Sequence, residues 1–134
     1  MANALYPTFK QRLLGADIEL ENDTIKVALI DTGTYTYSAA HEFWSSASTA
    51  LVGTAGTLGT KTIALGVFDA ADVTFTGVTG SSVEALIIYK DTGVAGTSPL
   101  IAYIDTVASG LPVTPNSGNI DVAWDSGASR IFSL

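Results

Sequence analysis

The apolar positions of this chain change period once. At its start Tyr6, Phe9 and Leu13 recur at helical spacing around PTFKQRLL (Pro7–Leu14), with Pro7 in the first turn and Gly15 just past the end. One short helix is predicted there, inside an N-terminal arm of residues 1–15. From residue 24 the period becomes two. TIKVALID (24–31) sets Ile25, Val27 and Leu29 against Lys26, Ala28 and Ile30, a strand with apolar residues on both faces. KTIALGVF (61–68), DVTFTGV (72–78), SVEALIIYK (82–90) and PLIAYIDTV (99–107) are strand-length and rich in β-branched or aromatic residues. The last two predict a long hairpin around loop 91–98. NIDVAW (119–124) and RIFSL (130–134) predict a closing hairpin across 125–129. Ser38, as N-cap of SAAHEFWSSA (38–47), predicts a small helical insertion. GTAGTLGT (53–60) reads as a flexible connector, and ASGLPVTPNSG (108–118) as a second long loop.

Six to eight short strands at near-regular spacing, with turn residues between them, predict an all-β chain. The expected architecture is one domain over residues 1–134, an antiparallel β-sandwich of jelly-roll or immunoglobulin-like type. Its expected core comprises Ile25, Val27, Leu29, Ile63, Leu65, Val67, Phe75, Ile87, Tyr89, Ile101, Tyr103, Val122, Trp124 and Phe132.

Composition narrows what such a domain does. At 134 residues it can bury roughly two-thirds of its unfolded surface. It has no cysteine, so thiolate chemistry and disulfides are excluded. Thirteen acidic residues against six basic ones give a net charge of −7, with no Lys/Arg cluster to neutralise phosphates. No nucleic-acid partner is therefore expected. The mean hydropathy is +0.36, yet no apolar run approaches the ~18 residues of a membrane span, so no membrane partner is expected either. MANALYP lacks the basic and apolar blocks of a signal peptide, which predicts a cytoplasmically made, soluble protein. Ala, Gly, Ser and Thr fill 60 positions, a composition suited to flat surfaces packed against neighbours.

Candidate chemistry begins with Asp31-Thr32-Gly33, the triplet an aspartic protease presents at its nucleophilic water. It returns as Asp91-Thr92-Gly93 and as Asp125-Ser126-Gly127. Acid proteolysis needs two carboxylates about 3 Å apart sharing one proton. In a chain of this length that requires a retropepsin-like homodimer with Asp31 from each subunit. IALG (63–66) would have to thread beneath the triplet, but it follows too early, and no Gly-rich flap hairpin stands at the expected position. All three triplets instead follow strand-like runs, where Asp accepts backbone N–H groups and Gly reverses the chain. They read as turns. His41 is the only histidine, so a metal site or a Ser-His-Asp relay through Ser45 would rest on one residue. Asp69 and Asp72 offer two carboxylates where a calcium ion takes six to eight oxygens, and read as a polar turn. Asn22-Asp23-Thr24 fits a glycosylation triplet without a secretory context. Tyr35, Tyr37, Phe43 and Trp44 form the densest aromatic patch, either packing and interface or a carbohydrate platform. No catalytic, cofactor-binding or metal-binding residues are predicted.

MANALYPTFKQRLL, DTIKVALIDTGTYTYSAAHEFW, VEALIIYKDTG and GLPVTPNSGNIDVAWDSGASRIFSL together resemble small virion structural proteins of tailed bacteriophages, of the capsid decoration (cement) type. The resemblance covers most of the chain and includes no catalytic motif. It implies a non-enzymatic protein on the phage head surface, partnered by the major capsid protein and made in the host cytoplasm. Lattice symmetry predicts a homo-oligomer, a trimer at three-fold positions. Residues 2–9 and loops 91–98 and 108–118 are the expected contacts. Similar proteins also serve in tails, so a tail or receptor/glycan-binding component is the alternative.

Overall fold

The computed structural model describes residues 3–134. The regular elements are mostly strands: β1 (Ala4–Leu5), helix α1 (Pro7–Leu14), β2 (Ile25–Ile30), β3 (Leu51–Thr57), β4 (Thr62–Ala64), β5 (Val67–Asp69), β6 (Val73–Phe75), β7 (Ala85–Lys90), β8 (Leu100–Ile104), β9 (Ile120–Val122) and β10 (Phe132–Ser133). The principal sheet is antiparallel with order β1-β8-β7-β2-β3; smaller sheets have orders β10-β5-β4 and β6-β9. This is an all-β, sandwich-like fold.

Strand β2 lies inside the sheet, between β7 and β3, because it can be apolar on both faces, and all its residues but Lys26 are buried. Register with β7 puts Val27 opposite Ile88 and Leu29 opposite Leu86 on one face, and Ala28 opposite Ile87 on the other. The Val27 face is covered by the smaller sheets, with Val73 and Phe75 of β6 against Gly56 of β3. The Ala28 face is covered by residues 31–50. There the Trp44 ring lies flat on Tyr89 at 4.3 Å, and Tyr35 and Tyr37 pack on Tyr103. Helix α1 has Pro7 in its first turn and ends at Gly15, as its sequence predicts. It buries Phe9 edge-on against Phe132.

Four expectations are corrected. Segment 38–47 is not a helix. Ser38 Oγ accepts the Ala40 N–H at 3.2 Å, but this closes only a local turn, and the 3-10 turns come later, at Trp44–Ser46 and Ser48–Ala50. A helix this short is marginal alone. Laying Trp44 on the sheet, with its N–H on Ser98 O at 2.7 Å, determines the path instead. Second, much of the supposed connector 53–60 belongs to β3, whose pairing shifts register between Val27 and Leu29. Gly53, at φ +72, sits within that irregular stretch, and Gly56 gives room to β6. Third, the last two strands do not pair with each other; β9 joins β6 and β10 joins β5.

Fourth, the predicted core holds for Ile25, Val27, Leu29, Phe75, Ile87, Tyr89, Ile101 and Tyr103. Val67, Val122, Trp124 and Phe132 are only half-buried, while Ile63 and Leu65 are exposed. KTIALGVF is two strands: the chain reverses at Leu65-Gly66, with φ of 51° and 79°. The reversal resets the inward parity, so Phe68 faces the core and Leu65 stands at the tip.

Candidate functional site

The Asp31 turn begins where β2 ends. Its carboxylate accepts the Gly33 N–H at 2.8 Å and the Thr34 hydroxyl at 3.3 Å, while its carbonyl accepts the N–H of Thr34 and Tyr35. Asp91 repeats the motif after β7, accepting the Gly93 N–H at 2.9 Å and pairing with Lys26 at 3.1 Å. The Gly93 N–H, with Lys26 beside it, holds the Asp91 carboxyl below the usual carboxylate range against a smaller opposing effect of burial. Ile25 faces Lys90 and Ile30 faces Ala85, so Asp31 and Asp91 lie at opposite ends of the strand pair. Asp91 lies opposite Thr24, whose carbonyl accepts its N–H, so seven residue steps separate the two, roughly 24 Å. They form no dyad within the chain. Asp125 sits in an exposed turn, its Oδ2 2.8 Å from where a β-carbon on Gly127 would stand.

The remaining candidates are also held locally. His41 Nδ1 lies 2.9 Å from Tyr35 Oη, and without a helix Ser45 is an exposed residue in the first 3-10 turn. Asp69 faces Arg130 at 4.0 Å, whereas Asp72 accepts the Trp124 N–H at 2.9 Å. Asp23 of the glycosylation-like triplet pairs with Lys90 at 3.0 Å. Among the described residues no group of three or more His, Cys, Asp or Glu side chains is placed to hold a metal ion.

The aromatic patch divides. Trp44 is buried on Tyr89, and Phe43 lies under the Arg12 guanidinium at 5.1 Å. Tyr35 and Tyr37 instead join Tyr103 and Tyr6. The Tyr6 and Tyr35 hydroxyls are 2.9 Å apart in the interior, where burial raises both above the usual phenol range. Burial and nearby Asp105 push Tyr103 up to about 12. Against these rings opens a cavity of about 430 Å³ lined by Tyr35, Tyr37, Tyr103, Thr32, Glu84 and Asp105, and roofed by Leu111 and Pro112. Its lining carries two carboxylates and no basic side chain. Glu84 Oε1 accepts both the N–H and the hydroxyl of Thr32, at 3.0 and 3.1 Å, and Oε2 accepts the Ser82 hydroxyl. Such a cavity suits a sugar hydroxyl or an organic cation better than an anion. Tyr103 was legible only as core, and Glu84 and Asp105 only as members of the strand-like runs 82–90 and 99–107; antiparallel register brings them together.

A second, larger space opens on the other face of the principal sheet. It has a volume of about 730 Å³ between Leu29, Leu86 and Ile104 on one side and Val122, Trp124 and Phe132 on the other. No known family matches the chain, and no curated protein is similar to it.

Proposed function

We propose that this protein is a non-enzymatic structural component of a tailed-phage virion. In this reading it is a decoration or cement protein that binds the outer surface of the head and ties neighbouring major capsid subunits together. One observation carries most weight: most of the large aromatic rings are taken up in packing, while bare aliphatic side chains stand on loops and turns. Tyr35 and Trp44 are 3% and 7% exposed, whereas Val94 and Val107 are 60% and 40% exposed. Val94 lies in loop 91–98, which Thr92 and Ser98 brace from within through Thr92 N–H to Ser98 Oγ at 3.0 Å and Ser98 Oγ to Val94 O at 2.8 Å. Loop 108–118 is tied to the body where Val83 and Val113 exchange backbone bonds at 2.8 and 2.9 Å. Loops held this firmly present a preformed surface to a neighbour. The described part of the proposed N-terminal contact, residues 3–9, does not fit the role: Tyr6 and Phe9 are fully buried. Met1 and Ala2 lie outside the described residues.

Locating the protein in an imaged virion tests the reading directly. Density over the joints between capsid subunits is expected; a protein found only in the tail, or missing from particles, refutes it. The cavity at Tyr35, Tyr37 and Tyr103 favours a second reading, a receptor- or glycan-binding tail component. That reading expects glycan-array binding that Tyr37→Ala abolishes. A retropepsin-like dimer is left without support, since Asp31 is occupied by its own turn.

A further inference from the structure

The cavity beside Tyr103 contains a carboxylate whose charge no basic side chain answers among the described residues. Glu84 stands just before β7 and is held by neutral donors only. Its Oε1 accepts the N–H and hydroxyl of Thr32 at 3.0 and 3.1 Å, and its Oε2 accepts the Ser82 hydroxyl. Such donors fix a carboxylate in place without neutralising it. Arg12, Lys26, Lys90 and Arg130 pair with other carboxylates, and Lys61 Nζ donates to the Asp23 carbonyl. Neither these nor Lys10 line the cavity. The resulting field registers on Tyr103, whose phenol is pushed up to about 12 by burial first, then by Asp105, with Glu84 adding in the same direction. A cavity at negative potential favours a cation.

Shape narrows the cation. The Tyr37 and Tyr103 rings are 5.2 Å apart and inclined at 41°, and those of Tyr35 and Tyr103 are 6.2 Å apart and inclined at 50°. Rings at these angles offer no flat platform for a sugar face. They suit a rounded cation, which is drawn to more than one ring at once. Tyr37 is half-buried and nearest solvent, with Tyr35 and Tyr103 behind it. A guanidinium binds a carboxylate best through two parallel bonds, which need both oxygens. Glu84 lacks that capacity, since Oε1 already accepts two bonds and Oε2 one. An ammonium is a compact point charge and needs no such fork. We propose that this cavity binds an alkylammonium group, methylated or primary, against Tyr37 and Tyr103 with Glu84 as its counter-ion. At about 430 Å³ it lies within the size range of small-molecule sites. The group belongs either to a free amine or to a lysine side chain of another protein. The site rests on neither placement in a virion.

Titration calorimetry of the full chain with choline tests this, against the uncharged isostere in which a tert-butyl group replaces the trimethylammonium. Choline is expected to bind about tenfold tighter than the isostere or more, and more weakly as salt rises. Glu84→Gln keeps an acceptor for Thr32 and removes the charge, so it should cost choline about tenfold and leave the isostere unchanged. Tyr37→Leu keeps an apolar wall without a ring and should cost choline about threefold to thirtyfold. If either variant fails to fold, the comparison of choline with its isostere on the unaltered chain still decides. Nα-acetyl-trimethyllysine amide tells the sources apart: binding at least as tight as choline's assigns the site to a protein side chain, weaker binding to a free amine. No choline binding at millimolar concentration, or equal affinity for choline and the isostere, overturns the proposal. A neutral glycan that binds where choline does not refutes the ammonium site and leaves the glycan reading standing.

Discussion

Gly56 tests the stacking of the two layers most directly, because there the backbone of β3 meets the side chains of β6. A β-carbon added at Gly56 would stand 2.7 Å from Val73 Cγ1 and 3.3 Å from Phe75 Cε1. Val73 is β-branched and stiff at χ1, so it relieves the clash only by leaving its rotamer or moving its strand. Overpacking of this kind costs about 1–3 kcal/mol. The lost freedom of the unfolded chain offsets about 0.4–1 kcal/mol. The net loss for Gly56→Ala is then about 0.5–2 kcal/mol. An unfolding entropy of about 2.1 cal/mol/K per residue over this chain makes each kcal/mol worth about 3.5 °C, so Tm should fall by roughly 2–7 °C. Thermal denaturation followed by far-UV circular dichroism reads this. Adding Val73→Ala should recover part of the loss, with a coupling of about 0.5 kcal/mol or more in a double-mutant cycle. Gly59 is the control: its β-carbon would meet nothing within 4 Å and its φ lies outside the left-handed region, so Gly59→Ala should gain about 0.4–1 kcal/mol. If Gly56→Ala is as stable as the parent, β6 does not lie on β3 and the layer arrangement is wrong.

Three further outcomes are expected. Trp44→Ala removes the ring stacked on Tyr89 and should lose about 3–5 kcal/mol in urea titration; a loss below about 1 kcal/mol means the ring is not packed as described. Asp91 has a folded-state pKa below its unfolded value, so its contribution is present above about pH 4 and is lost as pH falls through the folded value. Asp91→Asn should therefore flatten the acid limb of the stability profile, and an unchanged limb counts against the Gly93 and Lys26 contacts. Tyr6, Tyr35, Tyr89 and Tyr103 all ionise harder folded than unfolded, with Tyr89 pushed up to about 12 by burial and by Asp91. Raised folded values mean stability is complete below about pH 10 and declines above it as the unfolded phenols ionise. Spectrophotometric titration should show Tyr6, Tyr35, Tyr89 and Tyr103 ionising late and together with unfolding; early ionisation of these four would contradict their burial.

The sequence by itself determined the elements whose pattern repeats locally. β2 was legible from its period of two, β7 and β8 as strand-length runs rich in β-branched or aromatic residues, and Pro7 with Gly15 marked both ends of α1. The Asp-Thr-Gly motifs at 31 and 91 were legible as turns, since the bonds that close them lie within three residues. Contacts distant in sequence were decided only by the tertiary structure. Strand β3 looks like a linker because Gly56 answers to β6, some seventeen residues further on, and not to its neighbours. Segment 38–47 has a cap at its start, but a buried Trp44 outweighs the weak preference of ten residues for a helix. Leu65 fits an inward strand position until the chain reverses there, and the reversal is set by the pairing of Ile63 with Phe68. The cavity at Tyr35, Tyr37 and Tyr103 draws its walls from segments some seventy residues apart. Local patterning reports which residues prefer burial, and only the register between strands decides which of them meet.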